Sequence, residues 1–192
     1  MSIKLKTMLL LIALSLSLVY MVARKQYTLN TGAPIVLETT PVDPRSLFSG
    51  DYVILVYKIS RLSMQDIQGD KDFKPHDEIH VVLKPKGEYW EAVSVHHHAP
   101  PRKTDEIQLI GEVQYASSNF WNPETRQNEN KANVQVRYGI ENYFVPEGEG
   151  RKLERPATDE KLSVQVAVDQ FGAAGIKAIL LNGKPRYVES LR

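Results

Sequence analysis

Apolar and polar positions alternate along most of this chain, but the first segment does not alternate at all. Residues 7–23, "TMLLLIALSLSLVYMVA", carry no charge and few polar groups. As a helix this run spans about 25 Å, the short end of what a bilayer core requires. Lys4 and Lys6 precede it, and Arg24 and Lys25 follow. Beyond it, eight stretches rich in β-branched and aromatic residues read as strands: "PIVLETT", "DYVILVYKIS", "EIHVVLK", "EYWEAVSV", "EIQLIGEVQYA", "NVQVRYGI", "KLSVQVAVD" and "IKAILLN". Gly, Pro or Asp clusters separate most of them, and no long amphipathic helix intervenes. This pattern predicts an all-β fold, an antiparallel sandwich or barrel-like sheet, with one N-terminal transmembrane helix and short helical turns.

Local patterns refine that outline. "KPKGEY" predicts a hairpin between residues 78–84 and 88–95, and "DQFGAAG" predicts one between residues 161–169 and 176–182, which "NGKP" then ends. In the valine strand, Val164, Val166 and Val168 alternate with Ser163, Gln165 and Ala167, the pattern of a half-solvated sheet. Residues 61–75 and 117–131 exceed ordinary hairpin lengths, and the second, polar one reads as a mobile loop. The chain divides into a signal-anchor at residues 1–25, a tether at 26–32 and a β domain at 33–192. No internal repeat is evident.

The anchor has a competing reading as a cleaved signal peptide. Cleavage favours small residues at alternate positions; Met21-Val22-Ala23 places a large one outermost, and a cut after Ser17 leaves an apolar stub. The uncleaved anchor is the favoured reading. Flanking charge is nearly balanced, so orientation rests on a long domain following a terminal apolar segment. This order predicts a single-pass protein of the cell's inner membrane, with the bulk of the chain outside the cytoplasm.

Charge and cysteine content narrow the chemistry. Four of the 24 basic residues flank the anchor, leaving 20 against 23 acidic residues in the domain. With no basic block among aromatics, nucleic acid is not an expected partner. The absence of cysteine excludes disulfides, thiolate metal ligands and thiol nucleophiles.

The most organised segment is "DPRSLFSGDYVILVY", residues 43–57. Asp43 can cap a short turn opened by Pro44, and Gly50 can close it in a left-handed conformation. The strand beginning at Asp51 is apolar on both faces, which predicts a central strand covered on both sides. Its "GDYVILVY" resembles, without departure, the motif of the GDYXXLXY family of bacterial proteins. The later "YGIENYFVPEGEGRKLE" and the valine hairpin are similar to that family's downstream landmarks. The resemblance covers most of the chain beyond the anchor and implies a β domain of the GDYXXLXY type. It further implies a membrane-associated, exported protein of uncharacterised role, some relatives accompanying multi-span membrane proteins, and it carries no catalytic assignment.

A contact surface is expected from the cap turn and the "YFVPEGEG" segment: Arg45, Asp51, Tyr52, Tyr143, Phe144, Glu147, Glu149 and Glu154. The bland reading of the same residues is capping, packing and a solvated, salt-bridged turn. The favoured function is an accessory domain acting with a multi-span membrane protein or another envelope component, without a cofactor and without enzymatic chemistry.

Two alternatives remain open. A "PKG" turn pairing Lys84 with Glu88 sets His76 opposite His96, with His80 and His98 on the same face, a metal-binding arrangement; the bland reading is a solvated sheet end. A hydrolase could use Ser46 or Ser49 with Lys58, or Glu147 with Glu154. "PVDPRSL" lacks the Ser-x-Met motif of serine–lysine signal peptidases, and a solvated Lys58 is a poor base.

Overall fold

The computed structural model describes residues 3–40, 52–117, 120–122, 127–129, 132–144 and 161–188. A long helix, α1 (Ile3–Thr31), leads into β1 (Ala33–Thr40). The motif segment and its continuation supply β2 (Tyr52–Ile54), β3 (Val56–Tyr57), a 3-10 turn (Lys58–Ser60), β4 (Arg61–Ser63) and β5 (Gln68–Gly69). Next come β6 (Glu78–Lys86), β7 (Tyr89–His96), β8 (Ile107–Ser117), β9 (Phe120–Asn122) and β10 (Gln127–Glu129). Last are β11 (Asn133–Arg137), β12 (Asn142–Phe144), β13 (Leu162–Val168), β14 (Ala174–Leu181) and β15 (Lys184–Val188).

Two sheets dominate, one ordered β15-β14-β13-β1-β3 and the other β4-β11-β8-β6-β7-β5. Ile35 and Leu37 of β1 and Val164 and Val166 of β13 share one buried cluster with Ile79, Val81 and Leu83 of β6 and Leu109 and Val113 of β8. The all-β architecture with one apolar helix is therefore as the sequence predicts. Among the described residues a single parallel pair, β5 with β7, departs from antiparallel pairing.

Several local expectations are corrected. Residues 26–31 are not a tether: they continue α1, with Thr28 and Leu29 buried. The segment 51–60 is not one central strand. It breaks at Leu55, and its parts join two different sheets, β2 pairing with β12 and β3 with β1, while β4, just beyond it, pairs with β11. β3 lies at the edge of its sheet. Val53, Leu55, Tyr57 and Ile59 are buried while Ile54 and Val56 are half-buried, so one face of the segment meets the core. The apolar composition of both faces reflects a thread that stitches sheets together.

The two long gaps also hold structure. Residues 61–75 contain β4 and β5 and bury Met64 and Phe73, while residues 117–131 carry the antiparallel ribbon β9–β10. The outer face of β13 is not half-solvated, since Ser163 and Ala167 are buried and the end of α1 packs over it at Gly32. The β6–β7 turn is two residues long, with Gly87 at φ 65°, so Lys86 pairs with Tyr89 and Lys84 with Glu91. Asn182 and Gly183, both at positive φ, form the two-residue turn that starts β15.

Candidate functional site

The motif strand and the 138–144 segment are bound into one unit. Cross-strand pairing sets Asn142 opposite Ile54, Tyr143 opposite Val53 and Phe144 opposite Tyr52. The Leu55 amide donates to the Glu141 carbonyl at 2.7 Å, continuing that pairing past the end of β2. The Tyr57 hydroxyl donates to the Ile140 carbonyl at 2.6 Å, and the Tyr138 hydroxyl donates to the Ile59 carbonyl at 2.7 Å. Glu141 closes the intervening turn by accepting from the Tyr138 amide at 2.6 Å, and Gly139 supplies its φ of 76°. Gly111 leaves the space that the Tyr138 ring occupies: a Cβ there would sit 3.0 Å from the ring and 2.4 Å from Val136 Cγ1.

Burial, reinforced by the nearby Glu141 charge, pushes both phenols well above the usual tyrosine range. They stay neutral donors at physiological pH, which suits clamps and not nucleophiles.

A second joint fixes the helix to the domain. The Thr28 hydroxyl donates to Asp169 Oδ2 at 2.7 Å in a buried contact. Asp169 Oδ1 accepts from the Phe171 and Ala173 amides, so one carboxylate organises the β13–β14 turn and holds the helix against it. Gln170 donates to the Tyr27 hydroxyl at 3.0 Å. Gly175 of β14 gives Leu29 room, since a Cβ there would lie 2.8 Å from Leu29 Cδ2. Apolar packing and a charge-assisted buried hydrogen bond together make the helix foot part of the fold.

The Tyr138–Phe144 segment stands between two surface hollows. One, about 590 Å³, is lined by His76, Glu78, Glu112, Arg137 and Glu141 among others and is more polar than apolar. The other, about 200 Å³, lies against the helix foot and is lined by Lys25, Ile140, Tyr143, Phe144 and Ile176. Both include Gly139 and Asn142. Phe144 is 78% exposed, whereas Tyr143 is buried against the core.

The structure thus brings Tyr52 and Phe144 opposite each other while sending Tyr143 inward. Arg45, Asp51, Glu147, Glu149 and Glu154, together with the cap turn and with Ser46 and Ser49, lie outside the described residues. Lys58 is held by Glu38 at 3.1 Å and Glu91 at 3.7 Å. The hydrogen bond and charge of Glu38, with help from Glu91, raise its pKa, the opposite of what a general base requires.

The histidine register is also corrected. The two-residue turn and a bulge between Val82 and Leu83 place His80, and not His76, opposite His96. His76 lies outside β6 at φ 72°, its Nδ1 3.0 Å from Glu112 Oε1. Glu112 also accepts from Arg137 at 2.8 Å, and these hydrogen bonds, first from His76, lower its pKa. Burial, with smaller contributions from His98 and His96, lowers the pKa of His80. His98 follows β7, and His97 turns to Asp72 at 3.3 Å and packs on Phe73. Among the described residues no three His, Asp or Glu side chains converge on a common point.

Sequence reading did not single out Thr28 or Asp169. Asp at the head of a turn is a common signal, but its partner is 141 residues away and cannot be inferred from local pattern.

Searches of curated proteins and of solved structures found no match. The sequence profile described as "GDYXXLXY protein" matches residues 14–179, which includes the motif strand, both clamping tyrosines and the later part of the apolar run. This chain belongs to the GDYXXLXY protein family.

Proposed function

We propose that this protein is a membrane-anchored accessory domain that holds the ridge at residues 138–144 close to a bilayer, for contact with a multi-span membrane protein of the same envelope. The observation that carries the reading is the joint between α1 and the domain. A helix apolar enough to cross a membrane continues unbroken into residues buried in the fold. Thr28 lies five residues beyond the apolar run, about 7 Å along the helix axis. A domain fixed there presents the hollow beside Lys25 and Phe144 near the membrane surface, within reach of an integral partner's loops.

An exposed aromatic beside a partly apolar hollow suits protein contact, because buried aromatic anchors dominate interface energetics. The clamping tyrosines and the paired Lys58 support a binding module over a hydrolase. In this reading the domain faces the extracytoplasmic side.

The test is a photo-crosslinking amino acid at position 144 of the full-length chain in native membranes. The expected result is a discrete crosslinked species containing an integral membrane protein, absent when the probe is placed at Lys184 on the β14–β15 hairpin. Identical products from both positions would contradict the proposal.

A further inference from the structure

The β13–β14 turn runs along the helix in a definite direction. Its first residue, Asp169, meets Thr28; its third, Phe171, packs on Tyr27 and beneath Arg24. The ring centroid lies 6.5 Å from that of Tyr27 and 5.4 Å from the Arg24 guanidinium carbon. Going from Thr28 to Arg24 is four residues back along α1, about 6 Å toward the apolar run. Arg24 is the first charged residue after that run, so Phe171 stands at the level where hydrocarbon would give way to headgroups.

Despite its two neighbours Phe171 is 54% exposed, and Tyr27 is 38% exposed. A Phe and a Tyr at one depth with an Arg beside them is the side-chain set that partitions to a bilayer interface. Rings occupy the headgroup boundary, and a guanidinium meets lipid phosphates. The turn cannot swing away, because Asp169 binds it to the helix and to its own Phe171 and Ala173 amides.

We infer that the Asp169–Ala173 turn is a second membrane contact, inserting Phe171 into the interfacial layer beside the exit of α1. This rests on the anchoring proposed above. The turn would resist tilting of the domain and fix which side of it faces the bilayer.

The chain has no cysteine, so single labels can be introduced cleanly. Nitroxide labels are placed by Leu14→Cys, Phe171→Cys and Lys184→Cys in the full-length protein. It is reconstituted in phosphatidylethanolamine–phosphatidylglycerol nanodiscs, and collisions with oxygen and with an aqueous nickel chelate are compared. The expected oxygen preference is strongest at 14, intermediate at 171 and water-like at 184. A water-like value at 171 with a deep value at 14 overturns this inference while leaving the anchor standing. A water-like value at 14 overturns both. Since the label replaces the phenyl ring, 4-fluorophenylalanine at 171 gives a second reading. Its fluorine signal is expected to broaden with gadolinium-headgroup lipid, and an unaltered signal contradicts the insertion.

Discussion

Tyr57 and Tyr138 each donate a buried hydrogen bond into the other's segment, Tyr57 to the Ile140 carbonyl and Tyr138 to the Ile59 carbonyl. The last residue of the GDYXXLXY motif is therefore half of a reciprocal clamp. Its role is to close the seam where the motif strand leaves one sheet for another.

Replacing either clamping tyrosine by phenylalanine keeps the ring and removes the donor from a buried site. Each change is expected to destabilise the domain by about 1–3 kcal/mol. The double variant should lose less than the sum, because both bonds tie the same two segments. Urea unfolding followed by tryptophan fluorescence checks this, with Tyr115→Phe as an exposed control. Wild-type midpoints in both clamp variants would remove the clamp from the account.

The same phenols set an alkaline limit. Their folded pKa values lie above the unfolded value near 10, so above about pH 10 the unfolded chain holds fewer protons than the folded one. Stability should then fall with rising pH by up to about 1.4 kcal/mol per unit for each tyrosine, and should be unaffected by them below about pH 9. Exposed Lys58 and Lys84, raised chiefly by Glu38 and Glu106, act in the same direction. Tyr57→Phe isolates the tyrosine part, and an unchanged alkaline slope in that variant would contradict it.

Gly111 should not tolerate a methyl group. Its Cβ would meet Val136 Cγ1 at 2.4 Å and the Tyr138 ring at 3.0 Å, an overpacking expected to cost about 1–3 kcal/mol. Val136→Ala in the same chain removes the closer atom and should recover part of that loss. A double variant that shows only additive losses would mean that the two residues do not compete for space.

At the helix joint, Asp169→Ala removes an acceptor used by the Thr28 hydroxyl and two turn amides, whereas Thr28→Val leaves the turn amides bonded and removes the hydroxyl's bond to Asp169 with its longer contact, 3.2 Å, to the Arg24 carbonyl. Unfolding in detergent should show Asp169→Ala as the larger loss, about 2–3 kcal/mol against about 1. Equal effects would mean that the turn bonds contribute nothing.

Much of this architecture is legible in local pattern. The apolar run, the alternating valines of β13, and turn residues such as Gly87 and Gly183 each state their element directly. Long-range relations are not legible. The motif segment reads as one strand because its composition is uniform, yet pairing partners from β12 and β1 divide it at Leu55. "QYTLNTG" reads as a tether because it is polar, yet Thr28 and Leu29 find Asp169 and Gly175 far along the chain. A two-residue turn and one bulge move His80 into the position predicted for His76. At the candidate surface, sequence pattern singles out Phe144 but not which neighbour points inward; Tyr143 does, because Val53 across from it faces the core.

The central claim is that α1 and the β domain form one rigid unit at the membrane. It is tested by the distance between nitroxides at Leu18→Cys in the helix and Lys184→Cys in the domain, measured by pulsed electron resonance in nanodiscs. A single narrow distance distribution is expected for the wild-type joint, broadening when Asp169→Ala is added. A broad distribution in the chain with an intact joint would mean that the domain swings on a tether, and would contradict the account.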